Sequence, residues 1–268
     1  MPELPEVETT VRGLAAVLQG RRLIGVEPRR ADLRRAFPPD LGQRLTGSRV
    51  VGLGRRAKYG LIHTDRDDTL IFHLGMSGRW RIDPADIGAH DHLVLKTDDG
   101  RALALNDPRR FGSLDLVRTL ELDAWPAFAA LGPEPFDLSV DELAGKLKGR
   151  KASIKLLLLD QRVVAGLGNI YVCEALFRAG ISPSRAGGRV SRAKLKLLVP
   201  AIGAVLAEAI DAGGSSLRDY ARPDGELGYF SKSFAVYGRE GQACACGGTV
   251  TRIAQGGRST WYCSRCQR

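Results

Sequence analysis

Thr69-Leu70-Ile71-Phe72-His73-Leu74 decides the fold of the N-terminal half. The run is short and apolar, and Asp67-Asp68 and Gly75 bound it, so it reads as a buried strand. Runs of the same kind recur at 50–53, 61–63, 92–95, 102–105 and 114–117, separated by Gly, Asp and Pro. This spacing predicts an antiparallel sandwich or barrel over roughly residues 22–117. Asp98-Asp99-Gly100 supplies a hairpin turn between two of the strands.

Upstream, Leu4, Val7, Val11, Leu14 and Leu18 recur at helical spacing until Gly20. Downstream, Leu131-Gly132-Pro133-Glu134-Pro135 is rich in breakers and marks a domain boundary. Beyond it the period becomes helical, at 140–147, 153–160, 171–178 and 192–212. The last helix carries Leu195, Leu198, Ile202, Val205 and Ile210, and Pro200 inside it predicts a kink or break. Glycine, serine, Pro223 and charged residues dominate 213–229, which reads as a mobile loop. The expectation is an α+β multidomain chain divided at 1–132, 133–232 and 233–268.

The chain has 268 residues, with 40 Lys and Arg against 30 Asp and Glu, a formal charge of +10. That is the electrostatic footprint of a nucleic-acid binder. No run of 18 apolar residues and no signal-peptide pattern occurs, which predicts a cytosolic protein without a membrane partner. Four of the five cysteines fall in the last 25 residues, and in a reducing compartment this points to metal.

The chain opens Met1-Pro2-Glu3-Leu4-Pro5-Glu6-Val7-Glu8. If Met1 is removed, the first groups are a secondary amine and a carboxylate. An α-amino group titrates near about 7.7–8.0, so part of it is nucleophilic at neutral pH. Attack on a masked aldehyde carbon by proline yields an iminium, a permanent electron sink, and Glu3 can move protons. Taken alone, Pro2 and Pro5 read first as punctuation at a helix start, with Glu6 and Glu8 favourable to its dipole.

Further motifs stand in loops. Arg55-Arg56-Ala57-Lys58-Tyr59-Gly60 joins two strands and reads either as a solvated turn or as a phosphate clamp, with Lys58 as a second proton-transfer candidate. His73 and Met76 lie in HLGMSG. Asn106-Asp107-Pro108-Arg109-Arg110-Phe111-Gly112 offers two arginines and an aromatic, which suits a wedge that fills the gap left by an extruded base. A buried Phe111 beside solvated arginines fits the local sequence as well. Ala165-Gly166-Leu167-Gly168-Asn169-Ile170 connects two helical patterns and can present backbone N–H groups to a phosphate, with Arg150, Lys151 and Lys155 adding charge upstream. Cys244-Ala245-Cys246 and Cys263-Ser264-Arg265-Cys266 stand 16 residues apart, as in a zinc ribbon, although the first pair is one residue shorter than usual. Arg258 falls at the hairpin tip between the pairs. Cys173 reads as a buried apolar residue.

In this order and spacing, PELPEVE, RRAKY, HLGMSG, HDH at His90–His92, DPRRFG, LGPEP, VAGLGNIY, GYF, VYGR and the cysteine tail resemble the bacterial formamidopyrimidine-DNA glycosylase family. The resemblance implies an N-terminal β-sandwich with flanking helices, a helix-two-turn-helix module and a C-terminal zinc finger with one structural Zn²⁺. It implies a basic cleft for double-stranded DNA containing oxidised bases, and a monomer working in the bacterial cytoplasm on the nucleoid. It implies excision of 8-oxoguanine and formamidopyrimidines, then strand cleavage by β,δ-elimination. The implied catalytic residues are Pro2, Glu3, Lys58 and Arg258. DNA contacts fall on His73, His90, Arg109, Arg150 and Asn169, gap filling on Met76, Arg109 and Phe111, and metal ligation on Cys244, Cys246, Cys263 and Cys266. The 213–229 loop corresponds to the segment that closes over the damaged base. Two other readings stay open: an endonuclease-VIII-like enzyme of the same superfamily preferring oxidised pyrimidines, and a non-catalytic DNA-binding zinc protein.

Overall fold

The computed structural model describes residues 2–215 and 222–268. The chain divides into two compact units, Met1–Ala129 with Ala212–Tyr229 and Ala130–Asp211 with Phe230–Arg268.

In the first unit, helix α1 (Leu4–Leu18) precedes β1 (Leu23–Pro28) and the short α2 (Leu41–Leu45). Then follow β2 (Val50–Arg56), β3 (Tyr59–Thr64), β4 (Asp68–His73), β5 (Arg79–Ile82), β6 (Asp91–Thr97), β7 (Ala102–Asn106) and β8 (Ser113–Arg118), with the one-turn helix α3 (Pro126–Ala129) behind them. The strands make two antiparallel four-stranded sheets, ordered β1-β6-β7-β5 and β2-β3-β4-β8. Their inner faces share one core. Leu93, Leu95, Leu103 and Trp80 from one sheet meet Ile62, Leu70, Phe72 and Leu114 from the other. Phe72 meets Trp80 edge-on with centroids 5.6 Å apart. The sandwich is thus the observed outcome, and α1 seals it with Val7, Val11, Leu14 and Leu18. Gly100 takes φ +86° in the turn between β6 and β7, as its sequence predicted.

Two strands carry no apolar run and were not anticipated. β1 buries only Leu23 and Val26 and slips register between Leu23 and Gly25. β5 is an edge strand, Arg79-Trp80-Arg81-Ile82, whose arginines break the pattern while discouraging further pairing.

The second unit contains α4 (Val140–Leu147), α5 (Ile154–Leu159), α6 (Asn169–Arg178), α7 (Arg192–Asp211) and the hairpin β9 (Val250–Gln255) with β10 (Arg258–Cys263). Ser139 starts α4 in a reciprocal capping box with Glu142. The break expected at Pro200 is absent, because α7 runs through it. Pro200 lies on the exposed side, where water can satisfy the carbonyl that loses its donor. No helix of the described residues is long and apolar enough to cross a membrane.

Candidate active site and metal centre

The head of α1 is fixed by carboxylates. Glu3 occupies the N-cap and exchanges bonds with Glu6 in a capping box, the Glu3 N–H donating to Glu6 Oε2 at 2.8 Å. The other oxygen, Glu6 Oε1, accepts from the Ser215 N–H at 2.8 Å. Pro2, Glu3 and Glu6 are all buried, with Glu6 only 2% exposed, so its carboxylate serves both N–H groups away from solvent. An N-terminus normally frays, whereas this one is tied to a helix docked in the core.

The RRAKY turn is bound to the same helix. Arg55 Nε meets Glu8 Oε2 at 2.9 Å, and Glu8 also pairs with Arg12 one turn on. Ala57 and Lys58 form a two-residue hairpin turn between paired Arg56 and Tyr59, with Ala57 at φ +53°. Lys58 is 7% exposed, which corrects the picture of a wholly solvated basic turn.

Lys58 acts electrostatically on His73. Burial, then the charge of Lys58, then those of Arg34 and Arg35, lower the His73 imidazole to about 4. His73 Nδ1 accepts the Gly75 N–H at 3.0 Å, so the neutral ring carries its proton on Nε2. The ring thus offers a neutral N–H donor at Nε2.

HLGMSG and DPRRFG meet backbone to backbone. A Cβ on Gly75, at φ +61°, would fall 2.3 Å from the carbonyl carbon of Phe111, and one on Gly112 would fall 2.8 Å from the His73 oxygen. Asp107 fastens the two segments. Its Oδ1 accepts from Ser77 Oγ at 2.6 Å and its Oδ2 from the Gly112 N–H at 2.8 Å, and its carbonyl bonds His92 Nε2 at 2.9 Å. Ser77 Oγ in turn accepts the Arg109 N–H at 3.2 Å. The fastened loops hold Met76 half-buried and Arg109 exposed, while Phe111 is 47% exposed with the Arg109 guanidinium 5.0 Å above its ring. Phe111 is therefore no core residue. His90 is exposed, and its carbonyl takes the Asp107 N–H at 2.9 Å.

Residues 216–221, within the loop expected to close over a base, and Met1 lie outside the described residues. The described ends of that loop pair through a bridge between Ser215 and Tyr229.

In the second unit, Arg150 is exposed after α4, and Asn169 opens α6 behind Gly168. Asn169 Nδ2 donates to the Ser259 carbonyl at 2.9 Å, next to Arg258. Lys155, expected to add surface charge, is instead 0% exposed, and its Nζ donates to Thr260 Oγ1 at 2.7 Å. Burial, opposed by Cys173 and assisted by Arg258, lowers its pKa. The helical module thus grips the hairpin through two side chains. Glu174, also unanticipated, accepts the backbone N–H groups of Ala235, Val236 and Tyr237 at 2.8–3.0 Å and so fixes the approach to the finger. Arg258 is exposed where β10 begins, paired with Gln255 across Gly256-Gly257.

The shortened Cys244-Ala245-Cys246 turn does not prevent convergence. All four Sγ atoms lie within 4.8 Å of one another, with Cys244–Cys266 at 3.7 Å and Cys246–Cys263 at 3.6 Å. Zinc–sulfur bonds near 2.3 Å at tetrahedral angles require sulfur separations of about 3.8 Å, so the set fits the metal. Cys173 packs in the apolar cluster beneath.

Three family models match in succession: the formamidopyrimidine-DNA glycosylase N-terminal domain at residues 1–114, its H2TH domain at 131–221, and the zinc finger found in FPG and IleRS at 245–268. With the four-cysteine cluster, the last assigns one structural zinc. Full-length relatives named formamidopyrimidine-DNA glycosylase include those of Novosphingobium aromaticivorans, 70% identical, and Rhizorhabdus wittichii, 67% identical, each covering 100% of both chains. Among solved structures, Lactococcus lactis Fpg in complex with abasic-site DNA superposes with a TM-score of 0.92 at 35% identity over 100% of both chains. The Thermus thermophilus protein gives 0.89 at 40% identity, over 99% of this chain and 98% of that one. The chain belongs to the formamidopyrimidine-DNA glycosylase family.

Proposed function

We propose that this protein is a bifunctional glycosylase and abasic-site lyase that removes 8-oxoguanine and formamidopyrimidines from duplex DNA. The observation that carries the reading is the buried Pro2-Glu3 pair at the head of a docked helix, braced by Glu6 and linked through Glu8–Arg55 to the Lys58 turn. Solved relatives in complex with Fapy-dG-containing and abasic-site DNA support the substrate class.

With Met1 removed, the Pro2 nitrogen attacks the sugar C1′ and the bond to the base breaks, the departing purine taking a proton. Sugar ring opening leaves an iminium between Pro2 and C1′, with Glu3 shuttling the proton. The iminium acidifies the C2′–H bond, whose proton leaves as the 3′ phosphate departs, Lys58 serving as proton donor. A second elimination releases the 5′ phosphate, and Arg258 is assigned to this step. No step needs the zinc, which shapes the hairpin. Its ligands are Cys244, Cys246, Cys263 and Cys266. His73, His90, Arg109, Arg150 and Asn169 hold DNA, and Met76, Arg109 and Phe111 fill the gap left by the flipped nucleotide. The functional division is 1–132 for catalysis, 133–232 for the helix-two-turn-helix module and 233–268 for the finger. We place the protein in the cytoplasm, on the nucleoid, as a monomer.

Turnover on duplexes carrying 8-oxoguanine or thymine glycol tests the specificity. The purine lesion is expected to be processed faster, and a strong preference for thymine glycol would favour the endonuclease-VIII-like alternative.

A further inference from the structure

The loop between β1 and α2 carries Arg29, Arg30, Arg34 and Arg35. Three of these guanidiniums are committed. Arg29 donates to the carbonyls of Gly88 and Asp91, Arg30 pairs with Asp32 at 3.0 Å, and Arg35 pairs with Asp115 at 2.6 Å beside the Trp125 ring. Arg34 is exposed, and among the described residues its guanidinium has no hydrogen-bond or ion-pair partner.

Its backbone, in contrast, is fixed. The Arg34 N–H donates to the Gly112 carbonyl at 3.1 Å, immediately after Phe111. Leu33 is buried, and its Cδ1 would lie 3.6 Å from a Cβ placed on Gly112. The loop closes on itself through the Phe37 N–H to the Ala31 carbonyl at 2.8 Å. An arginine far from DPRRFG in sequence therefore stands against it in space. Its charge reaches the Tyr59 hydroxyl and the His73 ring, where it acts in the same sense as Lys58. A planar fork with no acidic partner, held beside a proposed phosphate donor and a proposed wedge, is suited to a phosphodiester.

We infer that Arg34 is a further phosphate-contact residue, gripping the DNA backbone beside the gap filled by Met76, Arg109 and Phe111. The inference rests on the DNA-repair reading above and adds a loop to its DNA surface.

The test is binding of the full-length zinc-loaded protein to a duplex bearing a stable abasic analogue, measured across a salt series. For Arg34→Ala, the slope of log affinity against log salt should become shallower by about 0.9, with affinity down about tenfold at low salt. Arg34→Lys should keep the slope, because one positive charge still displaces one counterion. Arg30→Ala should also keep it, since Asp32 already neutralises that residue. Single-turnover excision at saturating Arg34→Ala enzyme should stay within about twofold of wild type, as expected when only uniform binding is lost. An Arg34→Ala slope equal to that of wild type overturns the inference while leaving the glycosylase reading intact. A wild-type affinity insensitive to salt would overturn both.

Discussion

The N-terminal corner and the finger hairpin each carry a group to which the proposed mechanism assigns a role, and they hold it by opposite means. In the corner, Pro2 and Glu3 are buried, and the Glu6 carboxylate accepts from the Glu3 N–H and from that of Ser215, 209 residues beyond Glu6. On the hairpin, Arg258 is exposed beyond a two-glycine turn, and four thiols together with Lys155 and Asn169 secure the strands behind it. A nucleophile must meet one carbon within tenths of an ångström, which rewards rigid burial. An arginine that grips phosphate tolerates reach and solvent.

Breaking the corner should have the larger consequences. Pro2→Gly replaces the secondary amine and should slow lesion excision at least about a thousandfold in single-turnover assays, with zinc content unchanged. Breaking the finger by Cys246→Ser should lower zinc below one per chain by metal analysis and reduce cleavage about 10–100-fold. Much of that loss should return at high enzyme concentration, because the variant loses grip on DNA rather than chemistry. Full zinc and full cleavage in this variant would show that the short first pair is not a ligand turn.

Smaller effects sharpen the contrast. Glu6→Ala removes the buried carboxylate that accepts from the Glu3 and Ser215 N–H groups, and should cost about 2–4 kcal/mol in urea unfolding. Arg258→Ala should change stability by less than about 0.5 kcal/mol, as exposed substitutions do, yet shift the cleavage product toward the β-elimination end on sequencing gels. His73 gives the pH signature. Its folded pKa of about 4 lies below the ordinary 6.5, so below 6.5 the unfolded chain binds the extra proton. Its contribution is therefore complete above 6.5 and is lost as pH falls toward 4. Imidazole NMR signals of the folded protein should show the ring neutral at pH 5.5.

What the sequence made legible follows from how locally each feature is encoded. The apolar runs identify β3, β4, β6, β7 and β8 because each strand carries its own burial, and the stripe from Leu4 to Leu18 identifies α1 for the same reason; β2 is identified by its run Val50–Leu53 although only Val50 is fully buried. β1 and β5 escape because their exposed residues answer to sheet neighbours rather than to the chain on either side. The cysteines announce a metal site by type and spacing alone. Glu6, Asp107, Lys155 and Glu174 look like ordinary surface charges in the sequence and are all buried. Their roles arise from contacts such as Ser215, Gly112, Thr260 and Val236, which no spacing rule reaches. Arg34 is hidden in the converse way, since only the pairing of its neighbours reveals that its guanidinium has no partner among the described residues.

The central claim is that the chain's own terminal amine is the nucleophile. Borohydride trapping on a duplex with 8-oxoguanine opposite cytosine, followed by N-terminal sequencing of the trapped protein, tests it directly. The account predicts one covalent adduct whose attachment blocks Pro2, formed only by chains that have lost Met1. An adduct on a lysine, or none at all from correctly processed protein, would contradict it.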